Sequence, residues 1–318
     1  MIVHDEGTSV TPHISVIITT YDEEIYDDFK ASVRNVIKQE YDDFEVVIVT
    51  ETDHAESAVA RDFGDEDAVT HIHSDRSLNL ASARNLGAEH AIGDIYAFID
   101  DDAVAREGWL EHIASAYTEH DPPAVGGKLV ADWPTDEPRF LPPEFYWLVG
   151  VTHRGFREKP GYVRNTFGAN ITFRAEIFDE LGGFDTGFGK DHGHNLQGEE
   201  TELCARIRKK TGTGLYYVPD AVVAHRVYDW QLQWRWLFDR AYWQGYSKRL
   251  LKQSVSDSVQ TEQSFLRSLA LESTPRYVKE TVLDRSFTPL GRCLIAYLLT
   301  VTVVFGYVAC TLSAFTER

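Results

Sequence analysis

The sequence predicts an α/β protein built on an open, mostly parallel sheet flanked by helices. Three observations lead there. ISVIITTY (14–21) and FEVVIVTE (44–51) are continuous apolar runs ending in polar residues, the pattern of strands buried on both faces. Between them Ile25, Phe29, Val33, Val36 and Ile37 recur at helical spacing, so strand and helix alternate. The apolar run 95–99 then carries three adjacent carboxylates, Asp100, Asp101 and Asp102, to a strand end. Ligands of such sheets bind beyond the carboxyl ends of the strands.

The remaining elements follow in order. VTHIHS (69–74) is a weaker strand, and a helix runs from about Asn79 to Ala91, with Asn79 as N-cap and Gly93 beyond its end. DIYAFIDDD closes a fourth strand–helix unit. The segment 132–165, rich in Pro, Gly and aromatic residues, reads as irregular and suits a substrate-binding region. Regular structure resumes with NTFGANITF (165–173), a helix over 174–181, a Gly-rich loop from Gly182 to Gly198, a helix opening at GEETELCARIRKK (198–210) and a strand at LYYVPDAVVAHRV (215–227).

Residues 228–252 hold four of the seven tryptophans, mixed with Arg and Lys. That composition fits a helix at a membrane interface and equally a core helix packed on the sheet. The stretch 293–315 runs 23 residues without a charge, longer than the roughly 20 needed to cross a bilayer. Arg276, Lys279, Arg285 and Arg292 precede it and Arg318 follows, which orients the large N-terminal part toward the cytoplasm. The expected organisation is an α/β unit over 1–227, a juxtamembrane helical segment over 228–289 and a single-pass anchor over 290–315. Removal of 290–318 is then expected to release a soluble head.

Charge narrows the partners. Residues 1–225 carry 19 Lys+Arg against 42 Asp+Glu, a net of −23, and residues 226–318 carry 12 against 8, a net of +4. The acidic N-terminal part offers no face for nucleic acid. Only 10 of the 31 cations are Lys, and an acid-rich, lysine-poor surface suits a protein that stays soluble at very high salt, as in a halophile. Cys204, Cys293 and Cys310 form neither a disulfide framework nor a thiolate metal site. The polar, acidic N-terminus, MIVHDEGTSVTP, is no secretory signal.

Adjacent carboxylates at a sheet end repel one another unless a cation intervenes. Oxygen ligands suit Mg²⁺ or Mn²⁺, and such ions complete their shells with water and substrate phosphates. The run therefore points to a divalent ion carrying a nucleotide diphosphate; an exposed acidic turn is the plain alternative.

SVIITTYDEE (15–24), LNLASARNLGAEHAIGDIYAFIDDDA (78–103), GGFDTGF (182–188) and GEETELCARI (198–207) together resemble glycosyltransferase family 2, the inverting transferases with a Rossmann-like GT-A fold. The resemblance covers about residues 13–227. It implies that Asp100 and Asp102 are the metal-and-ribose DxD, with Asp102 the principal metal ligand and Asp101 helping to hold the ribose. Thr19, Thr20 and Tyr21 would line the nucleotide base, and Arg84 would lie near the nucleotide. His225 would be a further metal ligand. Glu200 aligns with the catalytic base, with Glu199 as the fallback. GAN (168–170) and GGFD (182–185) would shape the acceptor pocket; Gly182 and Gly183 would also end the preceding helix, and Asp185 would tie a turn.

Two positions depart from the family pattern. VTETD (49–53) replaces the usual Asp-Asp at the end of the second strand, leaving Glu51 as the nearest base contact, and Glu199-Glu200 stands where Glu-Asp is common. In one-step inverting transfer the acceptor hydroxyl loses a proton to a carboxylate, while the metal offsets charge on the leaving diphosphate. The acidic composition and the membrane anchor look like family members that build dolichyl-phosphate-linked glycans for surface-protein (S-layer) N-glycosylation. The expectation is therefore transfer of a glucuronic or other hexuronic acid from a UDP-sugar, with Mn²⁺ or Mg²⁺, to a dolichyl-phosphate-linked sugar. Arg84, Arg164 and Arg174 are candidate partners for the uronate or the diphosphate. The competing expectation is a non-catalytic, membrane-tethered sugar-binding subunit.

Overall fold

The structure is a computed structural model, and it describes residues 11–20, 23–187, 190–191, 194–254 and 259–316. Tyr21, and parts of the Gly-rich loop at 188–189 and 192–193, lie outside the described residues.

The chain opens with β1 (Ile14–Thr20), α1 (Tyr26–Ile37), β2 (Phe44–Thr50), α2 (Asp53–Phe63), β3 (Val69–His73), α3 (Leu80–His90) and β4 (Ile95–Phe98). Short β5 (Ala103–Ala105), α4 (Trp109–His120) and β6 (Ala124–Asp132) follow. After an irregular stretch with a 3-10 segment at Pro143–Val149 come β7 (Gly161–Val163), β8 (Ile171–Arg174) and α5 (Ala175–Glu180). The two-residue strands β9 (Lys190–Asp191) and β10 (His194–Asn195), then α6 (Glu199–Thr211) and β11 (Leu215–Arg226), complete the α/β unit. Four helices end the described chain: α7 (Trp234–Ser254), α8 (Val259–Ser268), α9 (Thr274–Leu283) and α10 (Thr288–Thr316).

Nine strands form one sheet in the order β3-β2-β1-β4-β8-β6-β11-β5, with β7 paired to β11. β3, β2, β1 and β4 are mutually parallel, as are β6 and β11, while β8 runs antiparallel between β4 and β6. The parallel strands therefore end at one edge, and β8 begins there.

The apolar runs of β1 and β2 are buried on both faces because two cores flank the sheet. Val16, Ile18, Val46 and Ile48 join Phe29, Val33, Phe63, Trp109 and Ile113 from α1, α2 and α4 on one side. Ile17 and Val47 join Ala88, Phe178, Leu203 and Ile207 from α3, α5 and α6 on the other. The N-cap at Asn79 forms as expected: its Oδ1 accepts from Ser82 N–H at 2.8 Å. In β11 the register slips between Val218 and Val222, where Pro219 has no N–H to give the ladder.

A third core joins Leu141, Phe145, Leu148 and Val151 of the irregular segment to Leu237 and Ala241 of α7 and Ala296 and Leu299 of α10. The Trp-rich segment thus forms a packed helix, with Trp230 and Trp234 about half exposed. The backbones of α7 and α10 touch: a Cβ on Gly245 would strike the carbonyl of Val303, and one on Gly306 the carbonyl of Tyr242. Glu144 pins α9 to the same core through hydrogen bonds from Ser273 (2.8 Å) and Tyr277 (2.6 Å) and an ion pair with Arg276.

The α7–α10 contact makes a test. Gly245→Val is expected to cost about 2–3 kcal/mol through overpacking, read as a shift in the denaturation midpoint of the purified protein. Ile92→Ala, at a site 79% exposed, is expected to stay within about 0.5 kcal/mol. A neutral Gly245→Val would show that the two helices are not held in contact.

Candidate active site

The acidic run sits where the sheet ends. β4 pairs β1 with Ile17 opposite Phe98, so Thr19 and Thr20 come level with Asp100 and Asp101. Beyond Asp102 the chain turns into β5, which pairs antiparallel with β11 so that Ala103 faces His225. Arg226 N–H donates to the Asp102 carbonyl at 2.8 Å. That pairing is why a histidine more than a hundred residues away arrives beside the acids.

His225 Nε2 lies 3.4 Å from an Asp102 carboxylate oxygen and 3.9 Å from one of Asp100. One ligand atom from each of Asp100, Asp102 and His225 falls within 4.8 Å of the other two. Two carboxylates and an imidazole fit a divalent ion such as Mn²⁺ or Mg²⁺. The imidazole is placed by close packing: a Cβ on Gly150 would lie 2.8 Å from its Cε1, and its Nδ1 is buried without a hydrogen-bond partner. Asp101 points inward instead. Burial, then the charges of Asp102 and Asp100, push its carboxyl well above the usual range, with Thr20 opposing.

Arg84 ties the acids to α6. Its Nη2 donates to Asp100 at 2.6 Å and its Nη1 to Glu199 at 3.1 Å. The guanidinium is 4% exposed, and Gly168 leaves it room, since a Cβ there would lie 2.8 Å from Nη1. Glu199 is thereby occupied: its second oxygen accepts from Gly198 N–H at 3.2 Å. Glu200, the next residue, lines the cavity. Burial and then the Glu199 charge push its carboxyl up to about 8, against the pull of Arg84 and Arg240.

α6 starts at Gly198, whose φ of 108° suits glycine alone. Three acids in its first turn and Arg208, Lys209 and Lys210 in its last complement the helix dipole. Gln197 N–H donates to Ser247 Oγ of α7 at 3.0 Å, so α7 fixes where α6 begins. Gly182 and Gly183 follow the end of α5 in left-handed conformation, and Asp185 accepts from Gly187 N–H at 2.9 Å, as the sequence suggested. Asn170 of GAN is structural: it bonds the Trp109 indole and the carbonyls of Lys128 and Ala221.

These parts face one cavity of about 1050 Å³, whose wall includes Thr19, Arg84, Asp100, Asp101, Asp102, Arg164, Glu200 and His225. Asp102 and Glu200 therefore share a cleft. Glu51 lies beyond the end of β2, where burial raises its carboxyl and Leu78 N–H donates to it at 2.8 Å; neither it nor Thr20 is part of that wall. Arg174 is a correction. β8 runs antiparallel to β4, so Arg174 stands opposite Ile95 at the far edge of the sheet, paired with Asp121.

Sequence reasoning missed the contribution of α7. Trp236, Arg240, Gln244 and Lys248, four residues apart, face the cavity. Arg240 Nε is buried without a hydrogen-bond partner, and burial lowers the group to about 10 despite Glu199 and Glu200. The i, i+4 spacing of these polar residues was the available signal. Tyr228 and Glu144 also border the cavity.

An open α/β sheet with an Asp-x-Asp and a histidine at its carboxyl edge, facing carboxylates across one cavity, defines a GT-A fold. Comparison with known proteins agrees. Residues 15–182 match the family model "Glycosyl transferase family 2". The chain is 37% identical over 297 residues to the glucosyl-dolichyl phosphate glucuronosyltransferase of Haloferax volcanii, covering 93% of this chain and 95% of that one. Among solved structures, the mannosyltransferase PcManGT from Pyrobaculum calidifontis, in complex with GDP-Man and Mn²⁺, superposes with a TM-score of 0.60 at 21% identity, over 93% of this chain and 87% of that one. GalNAc-T7 with UDP, GalNAc and Mn²⁺ gives 0.55 at 19% identity, over 68% of this chain and 43% of that one. The chain belongs to glycosyltransferase family 2 and is a glycosyltransferase.

Arg84 supplies the test of this geometry. Arg84→Met leaves the buried Glu199 and the partly buried Asp100 without their shared cation and is expected to cost about 3 kcal/mol. Adding Glu199→Gln is expected to recover a large part, measured as a double-mutant cycle by urea denaturation. Simple additivity would show that the two residues do not interact.

Proposed function

We propose that the chain is a metal-dependent inverting transferase that moves a hexuronic acid, glucuronic acid by preference, from a UDP-sugar to a dolichyl-phosphate-linked sugar. The observation that carries the reading is the shared cavity, with Asp100, Asp102 and His225 at one side and Glu200 at another. Three features support the finer choices. The Haloferax volcanii relative, which matches over nearly its whole length, is a glucosyl-dolichyl phosphate glucuronosyltransferase. Arg164 and Arg240 in the cavity wall give a uronate or a diphosphate cationic neighbours. The acidic, lysine-poor composition fits a halophile and an S-layer glycan.

Asp100, Asp102 and His225 would hold Mn²⁺ or Mg²⁺, whose charge offsets that gathered by the leaving diphosphate. Thr19, level with Asp100 at the end of β1, borders the donor side, with Thr20 and Tyr21 beside it in sequence. Glu200 takes the proton of the acceptor hydroxyl, whose oxygen attacks the anomeric carbon opposite the diphosphate, so configuration inverts. Glu199 holds Arg84 and so positions Glu200's turn of helix. A base whose proton affinity is raised toward that of the hydroxyl takes its proton more readily. The enzyme works at the cytoplasmic face of the cell membrane, held there by α10. Residues 288–313 are long and apolar enough to cross a membrane by length and composition.

The deciding experiment offers a panel of nucleotide sugars with Mn²⁺ and a polyprenyl-phosphate-linked hexose, with product detected by mass. UDP-glucuronic acid is expected to be used best. Asp102→Ala and Glu200→Gln are each expected to lower kcat/KM by about 10²–10⁴-fold; normal turnover by both would end the assignment. Glu200 is neutral below its raised pKa and charged above it. Hence kcat/KM is expected to fall about tenfold per pH unit on the acid side and to level off near pH 8. A plateau reaching down to pH 5 would exclude Glu200 as the base.

A further inference from the structure

The apolar helix α10 does not stand clear of the catalytic unit. Arg292 donates to the Arg139 carbonyl at 2.7 Å, Tyr297 meets Thr274 at 2.9 Å, and Arg249 donates to Thr311 at 3.0 Å. Cys293, Ala296, Leu299 and Cys310 are buried along the same side. From Arg292 to Thr311 is about 30 Å of helix, the thickness of a bilayer's hydrocarbon core.

α7, which lines much of that side, is itself clamped to the start of α6 through Ser247 and through Leu251, packed on Gly198. If α10 stood along the bilayer normal, the part of α7 around Tyr242–Gly245, which lies abreast of Val303 and Gly306, would sit at the depth of the hydrocarbon together with its cavity-lining Arg240 and Gln244. Charges and irregular backbone are strongly disfavoured there.

The opposite side of α10 is bare. Leu294, Val301, Phe305 and Leu312 are 62, 64, 65 and 62% exposed, and Phe287 at the preceding turn is 83% exposed. α9 adds exposed Val282 and Leu283. The cavity reaches this side as well. Its wall also includes Phe265 and Leu266 of α8, with Ser264, Arg267 and Ser268 beside them, and Thr300, Val303 and Val304 of α10. Leu266 and Val304 are themselves about half exposed, so they border both the cavity and the bare face.

We infer that α10 lies in the plane of one membrane leaflet with its bare side among the acyl chains, and that the catalytic cavity opens onto that leaflet between α8 and α10. This replaces the single crossing expected from hydropathy alone. The partner is a lipid surface. α10 is apolar all round, its inner side packed on α7 and its outer side bare, so the polar side of this seat is the body of the protein it packs against, with Arg249 and Arg292 as cationic neighbours. The segment that contains it carries net +4 in a chain of −19, which suits anionic headgroups. A lipid-linked acceptor then reaches Glu200 with its chain still in the leaflet; this last point rests on the proposed transferase reaction, whereas the in-plane seat does not.

The test uses full-length protein in inverted membrane vesicles, cytoplasmic face outward, tagged at either end. Added protease is expected to remove both tags; a protected C-terminal tag overturns the in-plane seat in favour of a crossing. The double variant V301E/F305E is expected to lower the membrane-bound to soluble ratio at least about tenfold with an unchanged melting temperature. A double variant that pellets like the parent overturns the seat, as does a parent that is soluble and dimeric and becomes monomeric when so altered. For the opening, Val304→Trp is expected to weaken binding of a long-chain polyprenyl phosphate to detergent-solubilised protein by about tenfold. Unchanged lipid binding overturns the opening. None of these readouts needs turnover, so they fail separately from the transferase reading.

Discussion

A single buried guanidinium holds the two halves of the site together. Arg84 leaves α3 beneath the sheet edge and bonds Asp100 on one side and Glu199 on the other. Without it the acidic run and the acidic start of α6 would repel across a poorly hydrated cavity, where charge interactions are strong. With it, Asp100 and Glu199 are neutralised in pairs, while Asp102 lies beside His225 and Glu200 lines the cavity. The pairing also separates the two adjacent glutamates chemically. Glu199 has both oxygens engaged, whereas Glu200 keeps a raised proton affinity. On the proposed reaction, Glu199 would position and Glu200 would take the proton.

The second constraint is that the site has walls from two structural units. The sheet edge supplies the metal-side acids, and α7 supplies Arg240, Lys248 and the Ser247 hydroxyl that receives Gln197 N–H. α7 in turn packs on α10 so closely that only glycine is accommodated at Gly245 and Gly306. Any shift of the apolar helix therefore moves α7, and any shift of α7 moves the first turn of α6. The third core and the Glu144 hydrogen bonds to α9 stiffen that linkage. α10 and the start of α6 are joined through packed elements, with no flexible tether between them among the described residues.

Much of this was legible in the amino-acid order, and the limits have physical causes. β1, β2 and β4 could be read because a strand buried on both faces needs an unbroken apolar run. α1 and α3 could be read from spacing and from the Asn79 cap. The acids were placed at a strand end by the run before them. β6 was not read: it opens AVGG, and its glycines and short run resemble a loop, although a Cβ at Gly126 would clash with Thr166. Arg174 was misplaced because an arginine's sequence neighbourhood does not reveal that its strand runs antiparallel and ends at the far edge. Most instructive is α7. Its composition could not choose between an interface and a core, since polar residues on one face ordinarily mean solvent. Here Trp236, Arg240, Gln244 and Lys248 face a cavity instead, and only the tertiary arrangement shows it. Hydropathy had the same blind spot for α10. A window of apolar residues measures length and composition, not what lies along the helix's other side.

The cavity's gradient of character connects these parts. On the proposed reaction, the need at the sheet edge is to assemble charge: divalent ligands, a diphosphate and a proton acceptor within reach of one carbon. Such an arrangement requires burial, because water would screen the charges and compete for the reacting centre. At the α8–α10 end Phe265, Leu266, Val303 and Val304 give the wall an apolar part, beside Ser264, Arg267 and Ser268, and Leu266 and Val304 border exposed apolar surface. A water-soluble acceptor would gain nothing from that end. An acceptor with a hydrocarbon chain can leave the chain in an apolar phase and bring only its polar head to the acids, which avoids the cost of exposing the chain to water. With α10 in the proposed in-plane seat, the packing of α7 on α10 places an apolar phase beside the cavity that holds Asp102 and Glu200, which accounts for an apolar helix in the wall of an otherwise strongly charged site.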